Sequence, residues 1–316
     1  MSSSPVAVAV AVASTVVEHF LSDAEISAYR DVVQPLSGRR PKALSHSLGS
    51  IGSVGSIGSV ASPIHPFVLA WRAFGQAVTT ATTTDSTAKG DGPRVVHLSQ
   101  SITQRRPVRA GERVSVEVTL VGARPDPRGV RVALRSVLSD AQGSSFADLA
   151  TGVLVIGATV PAPFGTIPVQ PAHETRAWTT TVPRRIPTDL PRRYAEVSGD
   201  DNPIHLDRDR ARAAGFPDVI AHGMCVMAMV CEEAITRFGG DDAARVRSVG
   251  GRFSAPVLPG EVLDIYFAPD AASGFVGFCC KTPQGTAVKN GWVQMASEED
   301  RDASPAERSH EGAGNG

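Results

Sequence analysis

"HGMCVMAMVCEEAITRFGG", residues 222–240, is the stretch from which the architecture can be read. Every residue from Met224 to Cys231 is apolar, and Ala234, Ile235 and Phe238 continue an apolar face. A helix that is apolar nearly all round is a buried one, not one lying on a surface. Gly239 and Gly240 end it. Three strand-like runs follow, "VRSVGGRFSAPVLPGEVLDIYFAP", "GFVGFCCKTP" and "GTAVKNGWVQMA". The pattern predicts a long central helix enclosed by an antiparallel meander.

Upstream, the same plan occurs once more. "SPIHPFVLAWRAFGQAV" (62–78) is a strongly apolar helix candidate. Pro66 stands in its first turn, where a missing N–H costs nothing. "RVVHLSQSITQ", "ERVSVEVTLVGARP", "GVRVALRSVLSD" and "SSFADLATGVLVIG" then read as strands, separated by turn material such as "PDPRG" and "DAQG". The phrases "RRPVRAGERVSVEV" and "SAPVLPGEVLDIYF" correspond, each with Pro-Val, then Gly-Glu, then an alternating strand. Between the halves, residues 157–191 hold Pro161, Pro163, Pro168, Pro171, Pro183 and Pro187 ahead of Pro191. They read as a surface crossing with an extended piece around "TRAWTTTVP".

The expected organisation is therefore a disordered start over 1–14, an N-terminal unit over 15–160 and a linker over 161–182. A C-terminal unit over 183–296 and a charged, apolar-poor tail over 297–316 complete it. "LSDAEISAYRDVV" reads as a short helix capped by Ser22. "GSIGSVGSIGSV" (49–60) is a hexapeptide written twice and reads as a flexible loop. It lacks the lysine and the strand-to-helix setting of a phosphate-cradling loop.

Composition narrows the function classes. The 31 Lys and Arg nearly cancel 32 Asp and Glu, for a formal charge of −1, so no global field exists to hold a nucleic acid. "PVAVAVAVASTVV" near the start lacks a basic region and is too short to span a membrane. Cys225, Cys231, Cys279 and Cys280 form no Cys-x-x-Cys pair, so neither a zinc site nor a disulfide framework is expected. Free thiols fit a cytoplasmic protein.

"YAEVSGDDNPIHLDRDRARAAGFPDVIAHGM" (194–224) carries the chemistry. Its Asp-x-Asn-Pro-x-His string, followed by Ala-His-Gly-Met at the mouth of the buried helix, resembles the signature of the MaoC-like, (R)-specific enoyl-CoA hydratases and dehydratases. The two-unit layout resembles their double hot-dog members: an α+β fold with two antiparallel sheets, each wrapped around a long buried helix. The resemblance implies reversible hydration of 2-enoyl thioesters, or dehydration of (R)-3-hydroxyacyl thioesters. It implies an acyl-CoA or acyl-carrier-protein thioester as substrate, no metal and no redox cofactor. Residue by residue it implies Asp200 and His205 as the catalytic pair, Asn202 as an orienting amide that also faces substrate, and Gly223 as the oxyanion donor.

The residues themselves agree with that chemistry. Pro203 fixes φ between Asp200 and His205 and pushes Asn202 toward an extended conformation. A carboxylate and a neutral imidazole can then flank one water and share the tasks of base and acid between them. An N–H at the start of a buried helix suits a developing oxyanion. Pro203 and His222 are expected as structural support, Asp201 as solvated, and Asp207 and Asp209 as caps of "RDRARAAG". Arg105, Arg106, Arg109, Arg252 and Lys289 are candidates for the carrier's phosphates, none singled out by spacing.

The first half lacks the motif, so one site per chain is expected, with the N-terminal unit accommodating the acyl tail. Two other readings stand beside this one: a hot-dog acyl thioesterase, and a non-catalytic acyl-thioester-binding subunit. A homodimer is possible; no nucleic-acid or membrane partner is expected.

Overall fold

The computed structural model describes residues 14–34, 58–81, 83–84, 94–160, 162–168 and 177–296. Most of the glycine-serine repeat, the first thirteen residues and the tail lie outside the described residues.

In chain order, β1 (Ser14–Phe20) leads into α1 (Asp23–Val33) and α2 (His65–Ala81). Then come β2 (Thr83–Thr84), β3 (Arg94–Gln104), β4 (Arg113–Asp126), β5 (Gly129–Ser139), β6 (Ser145–Ile156), β7 (Ala158–Thr159) and β8 (Phe164–Gly165). The second half runs β9 (Thr180–Arg185), α3 (Leu190–Ser198), a 3-10 turn (Pro203–His205), α4 (Arg208–Ala213) and α5 (Gly223–Phe238). A second 3-10 turn, β10 (Val246–Phe253), β11 (Val262–Asp270), β12 (Phe275–Thr282) and β13 (Gly285–Met295) close it.

The strands line up as β1-β4-β5-β6-β3-β10-β13-β12-β11-β9, with β8 added on β4, in one 11-stranded sheet. Read from the outer edges inward, the two halves have the same order, so β1 answers to β9, β4 to β11 and β3 to β10. The two sheets of the double hot-dog meet where β3 pairs antiparallel with β10, Ser99 opposite Arg252 and Thr103 opposite Ser248. This junction satisfies the inner strands' backbone groups, so neither sheet keeps an open edge at the centre.

The correspondence extends to single hydrogen bonds. Leu21 N–H donates to Glu112 O at 3.3 Å and Gly111 N–H to Leu21 O at 2.8 Å. In the other half, Ile186 N–H donates to Glu261 O at 2.9 Å and Gly260 N–H to Ile186 O at 2.7 Å. Gly111 (φ 81) and Gly260 (φ 88) sit in the left-handed region, which explains why both phrases carry Gly-Glu before their strand. Ala61 N–H to Val108 O (2.9 Å) and Ala221 N–H to Val257 O (2.8 Å) tie each helix entrance to the same Pro-Val step.

In α5, every residue from Met224 to Ile235 is buried. Burying a Val or Met side chain contributes about 1.5–3 kcal/mol, so this helix anchors the core. Its last turns hold an unexpected pair of buried acids. Glu233 is bound by Arg184 and Arg237, and Glu232 accepts from Ser62 at 2.8 Å across the two units. Ser22 caps α1 in a complete capping box with Glu25. The expected linker contains β8, paired with β4, and the start of β9, paired with β11. Among the described residues no helix is long and apolar enough to cross a membrane.

Candidate functional site

The polar loop between α3 and α5 folds over the N-terminal end of α5. Asn202 caps the 3-10 turn, its side-chain oxygen accepting from Ile204 N–H at 3.4 Å, and Pro203 occupies the first position. The Asn202 side-chain nitrogen donates to Val95 O on β3 at 2.8 Å, fastening the loop to the other unit. Asn202 N–H in turn reaches Asp200 Oδ1 at 3.3 Å. The turn brings His205 and Asp200 into a buried position, each 7% exposed. Asp207, not Asp209, is the cap of α4: its carboxylate accepts from Asp209 N–H and Arg210 N–H, because only the residue preceding the first turn can reach those donors.

Both histidines are fixed by main-chain carbonyls. His205 Nδ1 lies 2.8 Å from Ile220 O, and His222 Nε2 lies 2.9 Å from Asp200 O. A carbonyl only accepts, so each of these nitrogens carries the proton and the opposite ring nitrogen keeps its lone pair. The two rings stack with centroids 3.7 Å apart. Burial pushes His205 down to about 4 and His222 well below its ordinary value, and both are neutral at pH 7. Asp200 goes the other way: burial raises it to about 7, against the Asn202 N–H that lowers it, with the Asp201 charge adding to the rise.

Asp200, His205 and His222 are also the group among the described residues whose side chains lie close enough to hold a metal ion, donor atoms within 4.8 Å of one another. His222 commits Nε2 to the Asp200 carbonyl, which leaves only Nδ1 for a ligand. The spacing 200, 205, 222 is no zinc pattern in sequence; the fold alone assembles it.

Gly223 is the first residue of α5, so its N–H has no acceptor within the helix and carries the positive end of the macrodipole. A Cβ on Gly223 would stand 3.0 Å from the Phe253 ring, so glycine is what lets β10 close against the helix entrance. Asp200, Asn202, His205 and Gly223 all line one cavity of about 1130 Å³. Its opposite wall comes from the N-terminal unit, with Trp71, Val95, Val132, Val153 and Ile156. Pro203 opens the 3-10 turn and His222 bonds the Asp200 carbonyl, and neither lines the cavity.

The basic candidates separate. Arg252 lines the cavity, whereas Arg106 is held by Glu112 at 2.9 Å over the Phe146 ring, and Arg105 donates to Ser145. Arg128 and Arg131, both tethered to Asp126, line the cavity and were not singled out by the sequence. Nor was His97, which lies between Phe67 and Phe253. A lone histidine in an alternating strand gives no signal of its own; only the packing of β3 against α2 and β10 reveals it.

Fold and site together define a two-unit hot-dog protein with a buried Asp–His pair at a helix N-terminus. Residues 167–272 match the family model described as MaoC like domain. The chain is 31% identical over 208 residues to 3-hydroxyacyl-thioester dehydratase Y of Mycobacterium tuberculosis, covering 62% of this chain and 67% of that protein. The chain belongs to the MaoC-like dehydratase family. It is also 36% identical over 101 residues to peroxisomal multifunctional enzyme type 2 of Drosophila melanogaster, a match covering 32% of this chain and only 17% of the much longer fly protein. In structure it resembles a MaoC-like dehydratase from Phytophthora capsici, with a TM-score of 0.71 at 19% identity, covering 92% of this chain and 97% of that one.

Proposed function

We propose that this chain is a hydro-lyase that adds water reversibly to 2-enoyl thioesters and removes it from (R)-3-hydroxyacyl thioesters. The observation that carries the reading is the pairing of Asp200 and His205 in one cavity, beside the free N–H of Gly223. The name of the dehydratase relative supports the same chemistry, and its (R) sense follows the family resemblance.

In the hydration direction, water sits between the two side chains. His205 Nε2, which keeps its lone pair because Nδ1 donates to Ile220, accepts a proton as the water oxygen bonds to the β-carbon. The π-electrons move toward the thioester carbonyl, whose oxygen is met by the Gly223 N–H. Asp200, which burial lets keep its proton up to about pH 7, delivers that proton to the α-carbon as the enolate collapses. The proton on His205 then passes to Asp200 and restores the starting state. Asn202 orients the loop that holds both groups.

The cavity of about 1130 Å³ exceeds what a short acyl group fills. Its apolar wall from the N-terminal unit suits a long or bulky acyl tail, with the carrier, coenzyme A or acyl carrier protein, leading outward. In this reading the N-terminal unit (15–160) is non-catalytic and the C-terminal unit (183–296) carries the chemistry, although β9 already begins at Thr180 within the expected linker. Four buried, unpaired cysteines favour a reducing compartment such as the cytoplasm.

The test follows loss of the conjugated enoyl absorbance when the protein meets trans-2-enoyl-CoA substrates of increasing length. Expected are a (R)-3-hydroxyacyl product, no release of free thiol, and loss of turnover in Asp200→Asn and His205→Ala. Thiol release without hydration would make the protein a thioesterase. Substrate binding without turnover, on coenzyme A and carrier-protein thioesters alike, would make it a binding subunit.

A further inference from the structure

We propose that Tyr29, in the unit that lacks the motif, is a positioning residue for the catalytic site of the other unit. The inference rests on the hydratase reading and assigns the N-terminal unit a part in catalysis beyond lining the cavity.

Tyr29 lies on α1 and Tyr194 on α3, both with no exposed surface. They are structural equivalents: Tyr29 is eight residues beyond Leu21 and Tyr194 eight beyond Ile186, the two residues whose backbones make the same bonds in each half. Their hydroxyls meet at 3.5 Å and their rings lie 5.8 Å apart, so the contact falls where the two units mirror each other. Each tyrosine then touches a histidine at the entrance of a central helix. Tyr29 packs edge-on against His65 at 4.9 Å, and Tyr194 lies 4.9 Å from His222.

From there the halves differ. By the match of Ala61 with Ala221, the position of His222 is taken by Ser62 in the first unit. Only in the second unit does the file of rings continue, from His222 to His205 at 3.7 Å. Five rings thus run unbroken through the core: His65, Tyr29, Tyr194, His222, His205. His222 is the joint that makes the file matter. One edge of it holds the Asp200 carbonyl and one face of it supports the His205 ring, so a tilt of His222 moves both catalytic groups together. Tyr194 is the aromatic neighbour that backs His222, and Tyr29 is the hydroxyl partner that backs Tyr194.

Tyr29→Phe removes the hydroxyl and keeps the ring, so packing of α1 is preserved. The expected result is a fall in kcat of about three- to tenfold with KM unchanged, because the cavity wall is untouched. Tyr194→Phe should show the same loss, and the double variant should lose no more than either single one, since one contact is removed in all three. Ring 15N and 1H signals of His222 and His205, recorded on the substrate-free full chain, should shift in Tyr29→Phe and Tyr194→Phe alike. These signals do not depend on turnover, so they test the coupling even if the protein proves not to hydrate enoyl thioesters. Unshifted histidine signals together with wild-type kcat in Tyr29→Phe would overturn the proposal. So would additive losses in the double variant, or a rise in KM with kcat unchanged. If Tyr29→Phe folds poorly, Tyr194→Phe alone carries the same two readouts.

Discussion

His205 donates its Nδ1–H to the carbonyl oxygen of Ile220 at 2.8 Å, a bond closed across fifteen residues. That bond sets the tautomer, and the tautomer decides which nitrogen can take a proton from water. The turn at Pro203 supplies the ring; the irregular segment leading into α5 supplies the carbonyl. Neither half of the bond lies in the other's sequence neighbourhood.

The first prediction concerns pH. With His205 as base and Asp200 as acid, hydration requires neutral His205 and protonated Asp200. The rate should rise through about 4, as His205 loses its proton, and fall as pH passes about 7, where Asp200 ionises. A pH profile of kcat/KM on an enoyl thioester, which reports the groups of the free protein, checks this. A rate that climbs above pH 7 would instead make Asp200 the base. His205→Gln should lower kcat by about 10²–10⁴-fold at the optimum.

A second prediction turns the same carboxyl into a stability measurement. The folded value of Asp200, about 7, lies above its ordinary 3.8, so the native state binds this proton more tightly than the unfolded chain. Its contribution is fully present below pH 3.8 and is lost as pH rises through about 7, a change of about 4 kcal/mol in all. Asp200→Asn stays neutral and escapes that loss. Denaturant melts should show the variant more stable than wild type at pH 8 by a few kcal/mol, with the gap closing toward pH 4.

Gly223→Ala is the third. The new Cβ meets the Phe253 ring at 3.0 Å, so either the ring or the start of α5 must move. Displacing the Gly223 N–H should cost about 10²–10³ in kcat, the usual scale for losing an oxyanion donor. Phe253→Leu in the same chain should recover melting temperature by relieving the contact, and it tests whether the clash is the cause.

The fourth lies at the far end of α5. Glu233 is 2% exposed and bound by Arg184 from β9 and Arg237 one turn on. Glu233→Gln leaves Arg184 without its counter-charge, and breaking a buried pair from one side costs about 3–5 kcal/mol. Urea melts should show a loss of that order.

How far the sequence could be read differs from one residue to the next. The unbroken apolar run Met224–Cys231 predicts burial because no face of that helix could meet water, and the twin Pro-Val…Gly-Glu phrases mark the duplication, whose two glycines the fold places at positive φ. Asp200, Asn202, Pro203 and His205 fall within six residues around one 3-10 turn, and Gly223 opens the apolar helix, so each can be picked out from its own local stretch. Glu232 and Glu233 are not legible, since their partners Ser62 and Arg184 are far along the chain. His97, Arg128 and Arg131 are hidden in the same way, each an ordinary strand or turn residue until the other unit closes the cavity around it.

The chain's own sequence determined the two helix-and-meander units and the motif, because periodicity, turn chemistry and a compact loop are properties of neighbouring residues. Only the tertiary structure decided that the two sheets join through β3 and β10, that Val95 holds Asn202, and that Ile220 and Asp200 set the protonation of two histidines. Burial moves Asp200 up and His205 down, and burial is a property of everything packed around a group, which no short stretch of sequence contains.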